Sequence, residues 1–169
     1  LKNEGVESII ATAAVGSINR KMQPGNLVLL TDFIDFTRGR EETFTAHSFV
    51  DVSQPYSSLL IKKILNAAVK LRIKAHPGAT YVCTEGPRFE TKAEIKMFGK
   101  LGADVVGMTQ VPEVVLAAEA CIYYAVIGVV TNFAAGISPK KISAEEVVRV
   151  MEDRKESLSK LLELVIKAL

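Results

Sequence analysis

Three short stretches carry side chains that packing alone does not require. They are Thr84-Glu-Gly-Pro-Arg-Phe-Glu-Thr91, Gly107-Met-Thr-Gln-Val-Pro-Glu113 and Val130-Thr-Asn-Phe-Ala-Ala-Gly-Ile-Ser138. Asn132 brings donors and an acceptor together on one flat amide, which can clasp a heterocycle whose edge shows both. Phe89 offers a face for stacking. Met108 is a soft, adaptable apolar contact for a sugar. Thr109 places a hydroxyl and a backbone N–H just ahead of a helix start at Pro112, where an anion can be held. A base, a sugar and an anion together describe a nucleoside and phosphate. Glu85 and Glu90 raise a second chemistry, the carboxylate pair of a glycosidase, which in retaining enzymes sits about 5–5.5 Å apart. Arg88 lies between them, and a Glu85–Arg88 pair that merely holds the loop is the plainer reading.

Each stretch follows a short apolar run that reads as a strand. Ligands of open α/β sheets bind beyond the carboxyl ends of the strands, so three loops distant in sequence can converge on one site. Residues 6–15 are almost all apolar or small, as expected of a strand covered on both faces. Ala13, Ala14 and Gly16 would let a ligand approach the backbone closely; a tight strand–loop junction without a ligand accounts for them as well. Gln23-Pro-Gly-Asn26 signals a turn, and residues 27–30 form a strand that extends to 35. Residues 37–54 lack a clear period and read as a long loop, often a functional feature. It carries Phe49 and His47, the latter an ordinary surface histidine on its own merits.

A helix opens at Pro55 with Ser53 as its cap, and Leu60, Ile64, Ala67, Ala68 and Leu71 share one face. Pro77-Gly78 reads as a turn before a strand at 79–83. Thr91 and Glu94 form a capping box for a helix over 92–100. Residues 103–107 make a strand, Pro112 starts a helix reaching about 120, and 122–131 is the last strand. Ser143 caps a final helix whose apolar stripe is Leu158, Leu161, Leu162, Val165, Ile166 and Leu169. Residues 1–5 read as a helix end capped by Gly5. After a hairpin-like first pair, strands alternate with helices. The expectation is α/β: a three-layer, mostly parallel mixed sheet flanked by helices, in one domain over 1–169.

The 169 residues are 49% hydrophobic and 24% charged with a net charge of +2. Both signs are interspersed, which argues against a nucleic-acid or membrane partner. No apolar run reaches the ~18 residues of a membrane span. Cys83 and Cys121 sit in apolar neighbourhoods without a CxxC partner. They read as small buried thiols in a reducing, cytoplasmic setting, with no disulfide framework and no zinc or other metal site.

The motifs Glu85-Gly-Pro-Arg-Phe-Glu-Thr91, Leu101-Gly-Ala-Asp-Val-Val-Gly-Met-Thr-Gln-Val-Pro-Glu-Val-Val-Leu116 and Thr131-Asn132 resemble those of the trimeric purine nucleoside phosphorylase and methylthioadenosine phosphorylase family. Ala14-Val-Gly-Ser17 and Gln23-Pro-Gly25 extend the likeness over essentially the whole chain. The resemblance implies an enzyme of purine salvage, a pentosyltransferase that splits a purine nucleoside with inorganic phosphate into free base and ribose 1-phosphate. Phosphate is a co-substrate, and no cofactor is implied. Carried over by motif position, Asn132 is the catalytic residue, bonding the N7/O6 side of the purine. Glu90 bonds the N1/O6 side, Phe89 packs on the base, and Met108 lies against the ribose. Thr109 reaches phosphate, and Ala14, with the neighbouring backbone of Val15 and Gly16, borders phosphate and base. Phe49 corresponds to the position that enters a neighbouring subunit's site, which implies a homotrimer or trimer-based oligomer.

Family members acting on 6-aminopurines carry Asp at the places of Asn132 and Ala134, and methylthioadenosine enzymes have Ser where Glu90 stands. The resemblance therefore implies 6-oxopurine nucleosides: inosine, guanosine or 5′-methylthioinosine. The apolar Ala144, where typical 6-oxopurine enzymes have His, favours the methylthio substrate. Methylthioadenosine is the alternative substrate, and a non-catalytic purine-binding or oligomer-forming remnant the alternative role. The family's front segment, with a phosphate-binding hydroxyl loop and an Arg-His pair, has no counterpart here. Its absence predicts an incomplete phosphate site and an exposed sheet edge, with the chain either a fragment of a longer product, or completed by a separate chain that supplies the missing part, or inactive.

Overall fold

The computed structural model describes residues 1–45 and 49–169; His47 lies outside the described residues. Five strands are present: β1 (Ser8–Ser17), β2 (Leu27–Phe36), β3 (Ala75–Thr84), β4 (Val105–Gly107) and β5 (Tyr123–Phe133). Four α-helices accompany them: α1 (Ser58–Lys70), α2 (Lys92–Lys100), α3 (Glu113–Glu119) and α4 (Ala144–Ile166). A 3-10 turn, Lys2–Glu4, precedes β1 and ends at Gly5 in the left-handed conformation, as its sequence predicts.

The strand order is β1-β4-β3-β2-β5, and the ends meet, so the sheet closes on itself. β1–β5, β2–β3 and β3–β4 are parallel; β1–β4 and β2–β5 are antiparallel. The α/β class and the mixed sheet flanked by helices stand. One expectation does not. β1 and β2 are not a hairpin, because β5 runs between them and pairs with both. The expected exposed edge remains in part: β1 pairs with β5 from Ser8 to Ser17, but on its other side it meets β4 at Gly16 and Ser17 alone among the described residues, so closure at that end leaves the rest of that side of β1 without a strand partner.

Burial explains the strand composition. In β5 every residue from Tyr124 to Asn132 is buried, which requires cover on both faces. Successive side chains of a strand point to opposite faces, and β3 shows it. Tyr81 and Cys83 join the larger core, with Ile64 of α1, Val114 of α3 and Leu161 and Val165 of α4. Val82 faces the smaller core, where α2 docks through Ile95 and Phe98 against Val106 and Ala134.

The caps settle three boundaries. Thr91 and Glu94 form the predicted capping box, and Ser143 accepts from the Glu146 N–H at the start of α4. At α1 the cap is Ser57, whose hydroxyl accepts from the Leu60 N–H. Ser53 instead bonds the Asp51 carboxylate, and Pro55 precedes the helix. Pro77-Gly78 is not a turn either: it lies inside β3, where the register with β2 shifts between Val28 and Leu30. Cys83 is buried, but Cys121 is exposed. It follows α3 with φ 53°, a left-handed position that turns the chain into β5.

Tyr56 is 5% exposed, and its hydroxyl has no hydrogen-bond partner among the described residues. An unpaired buried hydroxyl costs free energy that a ring without it does not. Tyr56→Phe is therefore expected to leave stability unchanged or raise it by about 1 kcal/mol. Thermal unfolding checks this, and a clear loss of Tm would show that the hydroxyl has a partner.

Candidate functional site

A bulge in the longest ladder builds the centre of the site. β1 and β5 pair in register from Ser8–Tyr123 to Val15–Val130, and then Gly16 pairs with Asn132. Thr131 is the extra residue. A bulge re-aims the side chains beside it, and here it leaves both Thr131 and Asn132 buried. The Thr131 hydroxyl donates to Asn132 Oδ1 at 2.8 Å, and Asn132 Nδ2 donates to the Phe133 carbonyl at 3.0 Å. A carbonyl oxygen can only accept, so it fixes which end of the amide is nitrogen. One amide hydrogen and one lone pair of Oδ1 are left over.

Gly16 explains itself by close approach. A Cβ there would stand 3.3 Å from Val106 Cγ1 and 3.4 Å from Asn132 Nδ2. A side chain would crowd the amide that the bulge presents.

Asn132 lines a cavity of about 300 Å³ shared with Ala14, Val15, Gly16, Phe89, Glu90, Met108 and Thr109. The structure thus brings together the residues predicted from all three loops and from the end of β1. Ile142 and Val147, at the start of α4, close one side. Ala144 is exposed and does not line the cavity, so the apolar wall comes from its neighbours. Phe49 is the one predicted residue elsewhere: it is fully exposed, at 105%, and does not line this cavity.

Glu90 is half-buried. The Thr84 hydroxyl lies 2.7 Å from its Oε1 and 3.3 Å from the Gly107 carbonyl; its single hydrogen serves the nearer, charged acceptor. Met108 is seated by Gly86. At φ 70°, Gly86 is left-handed, and a Cβ there would fall 2.6 Å from Met108 Sδ. The Thr109 N–H donates to the buried Tyr81 hydroxyl at 3.2 Å, whose pKa burial raises well above its ordinary value, so it stays a neutral partner.

The carboxylate-pair chemistry is not built. Arg88 forks onto Glu94, with bonds of 2.9 and 2.7 Å, and together with the Thr91 N–H it holds the Glu94 carboxyl down to about 2. Glu85 instead meets Arg40, 3.5 Å from its Nε, and accepts from the Arg38 N–H. The expected Glu85–Arg88 pair is replaced by two pairs that fix the loop at both ends.

Arg40 is the residue that sequence reasoning missed. Its Nη1 donates to the carbonyls of Met108 (2.9 Å) and Val111 (2.5 Å), and its Nη2 to those of Thr84 (3.4 Å) and Glu85 (3.2 Å). One guanidinium, whose donors form a rigid fork, therefore ties the 84–91 loop to the 107–113 loop. The only available signal was its place in a long aperiodic loop, where nothing separates it from Arg38 or its acidic neighbours. Arg40 and Thr109 also line a second, larger cavity of about 890 Å³, walled by Ile9, Val111, Leu116 and Ile122. Among the described residues no cluster of three or more His, Cys, Asp or Glu could hold a metal ion, and no helix is long and apolar enough to cross a membrane.

Comparison with known proteins places this geometry. Residues 1–167 match the family described as "Phosphorylase superfamily". A 6-oxopurine nucleoside phosphorylase of Pyrococcus furiosus is 49% identical over 170 residues, covering 94% of this chain and 63% of that protein. A probable S-methyl-5′-thioinosine phosphorylase of Methanothermobacter thermautotrophicus is 46% identical, covering 100% of this chain and 59% of its own. The solved methylthioadenosine phosphorylase of Schistosoma mansoni in complex with adenine superposes with a TM-score of 0.95 at 28% identity, over 99% of this chain and 68% of that one. The chain thus spans less than two thirds of the length of these curated relatives. Within that span it belongs to the phosphorylase superfamily.

Proposed function

We propose that these 169 residues form the base- and ribose-binding part of a phosphorylase of 6-oxopurine nucleosides. The observation that carries the reading is the Asn132 amide. Its backbone partner leaves one N–H and one acceptor facing a cavity that also holds Glu90, Phe89, Met108 and Thr109. The free N–H suits the O6/N7 edge of a 6-oxopurine, an acceptor edge. The Thr84 hydroxyl bonds only Oε1 of Glu90, and its Oε2 suits the N1–H of the same base. Met108 lies against the ribose, and Thr109, with the backbone at Ala14, meets phosphate.

In the reaction, phosphate oxygen attacks C1′ as the bond to the purine N9 breaks. The bonding electrons leave with the purine, and its developing negative charge spreads toward N7 and O6. A hydrogen bond from Asn132 strengthens as that charge appears, which lowers the barrier more than it tightens substrate binding. The chain's own residues thus bind, orient and stabilise charge; phosphate is the nucleophile and no organic cofactor enters the scheme.

Ile142 and Val147 support a second reading of the substrate. They give one wall of the cavity an apolar surface, which suits a 5′-methylthio group better than a 5′-hydroxyl, whose loss of water would go unpaid by any bond there. 5′-Methylthioinosine is thus placed beside inosine and guanosine as substrate. Phe49, exposed on its own chain, is assigned to a neighbouring subunit's site in a trimer-based oligomer, and the free thiols fit a cytoplasmic protein.

The reading predicts phosphate-dependent release of hypoxanthine from inosine or 5′-methylthioinosine by the protein to which these residues belong. Release from methylthioadenosine alone would overturn the base assignment. Asn132→Asp places a carboxyl 3.0 Å from the Phe133 carbonyl, where a retained proton is favoured. The ratio of 6-oxo- to 6-aminopurine kcat/KM is expected to fall by about tenfold or more, measured with inosine and adenosine.

Arg40 gives a test of loop positioning. Arg40→Met keeps the stem but drops every bond to the two loops, and kcat/KM is expected to fall about 10- to 100-fold, the scale of a small misplacement of reacting groups. Arg40→Lys is expected not to rescue it, because an ammonium cannot reproduce the fork. Rescue by Lys would show that charge alone is needed.

A further inference from the structure

Thr109 sits at the wall between the two cavities and lines both. Behind it runs a chain of hydrogen bonds that the nucleoside reading does not use. Gln110 Nε2 donates to Thr109 Oγ1 at 3.3 Å. The Tyr124 hydroxyl donates to Gln110 Oε1 at 3.0 Å. The same hydroxyl is in a short contact with Glu113 Oε1 at the start of α3. Gln110 is 3% exposed and Tyr124 2%, so neither can exchange these partners for water. Burial, reinforced by the bond to Glu113, raises the Tyr124 pKa far above its ordinary value, so the phenol keeps its hydrogen.

A phenol has one hydrogen, and here two acceptors compete for it. The outcome fixes the polarity of the whole chain. When Tyr124 donates to Gln110, the amide nitrogen must face Thr109, and the Thr109 hydroxyl accepts from it. Its own hydrogen is then free to point into the cavity. When Tyr124 donates to Glu113, its oxygen turns a lone pair toward Gln110. The amide then flips: Nε2 donates to Tyr124, and Oε1 takes the hydrogen of Thr109. The hydroxyl now shows the cavity only lone pairs. An anion bonds to the first arrangement and is repelled by the second, so it selects the first.

We propose that Tyr124 and Gln110 are positioning residues that set the Thr109 hydroxyl as a donor to phosphate, with Glu113 competing for the Tyr124 hydrogen. The inference rests on the proposed phosphate contact of Thr109. It assigns opposite effects to two members of one chain, which a purely structural role would not give.

The test measures KM for inorganic phosphate and for nucleoside on the active protein, with calorimetric titration of phosphate alongside. Tyr124→Phe keeps the buried ring and removes only the hydroxyl. It is expected to weaken phosphate about three- to tenfold, the scale of one hydrogen bond, with nucleoside KM unchanged. Glu113→Gln, which can donate to the Tyr124 oxygen, is expected to tighten phosphate instead. Loss of a negative charge would also tighten phosphate, so the double variant decides between them. In the Tyr124→Phe background the chain predicts no gain from Glu113→Gln, whereas simple charge relief predicts the same gain as in the parent. Unchanged phosphate binding in Tyr124→Phe, or full additivity in the double variant, overturns the inference and leaves the phosphate contact standing. Thr109→Val separates the two levels: if it leaves phosphate binding unchanged, the contact itself is wrong and the inference falls with it.

Discussion

The parallel pairing of β1 with β5 is the constraint on which the rest of the structure depends. It is a long ladder of the sheet, and it joins the first strand to the last. Such a pairing closes a loop of more than a hundred residues, an entropic cost that only extensive burial can offset. The β5 strand supplies that burial by being covered on both faces along its length. The ladder also ends at the site. Because its register slips at Gly16 and Asn132, the strand that is most firmly held presents the amide at its tip. A functional group placed there inherits the rigidity of the core without being sealed inside it.

Where the ladders stop, carbonyl groups at strand ends need other donors. At β3 and at the loop after β4 this need is met by one cation. Arg40 bonds carbonyls from Thr84, Glu85, Met108 and Val111, so the fork replaces the sheet bonds that parallel strands would have made had they run on. The arrangement holds Glu90 on one loop and Met108 and Thr109 on the other through the in-plane donors of one guanidinium. The same economy holds at Tyr81, whose ring fills the core while its hydroxyl accepts from the Thr109 N–H.

Much of this was legible in the sequence, and the reasons differ by element. Helix α2 was readable to the residue because its cap is local: Thr91 and Glu94 bond each other's backbone within one turn. The site loops were readable because polar groups followed apolar runs that could only be buried strands. The closure of the sheet was not readable, since it is set by which distant strands pair, and periodicity says nothing of order. Pro77-Gly78 misled for a related reason: the dipeptide marks a turn only where the chain reverses, whereas here it sits at a register shift in β3. Glu85 and Arg88 were expected to pair by proximity in sequence, yet each found a better-placed partner, Arg40 from another loop and Glu94 from the helix that follows. Arg40 could not have been singled out at all, because its role lies in carbonyls, which every residue has.

A common feature runs through the polar groups of the site: each is tied on one side and open on the other. Asn132 is tied to Thr131 and Phe133, Glu90 to Thr84, and Thr109 to Gln110 and Tyr81. Fully satisfied groups would have nothing to offer a ligand, and untied ones would lose their aim to rotation. Half-satisfaction fixes direction while leaving capacity. It also makes the choice of ligand depend on the partner behind each group. The Phe133 carbonyl takes one amide hydrogen of Asn132 and leaves the second, with a lone pair of Oδ1, for a ligand. A carboxylic acid at the same place has a single hydrogen, which that carbonyl would claim, so it would turn only lone pairs to the cavity; under the proposed function that difference would separate 6-oxo- from 6-aminopurines.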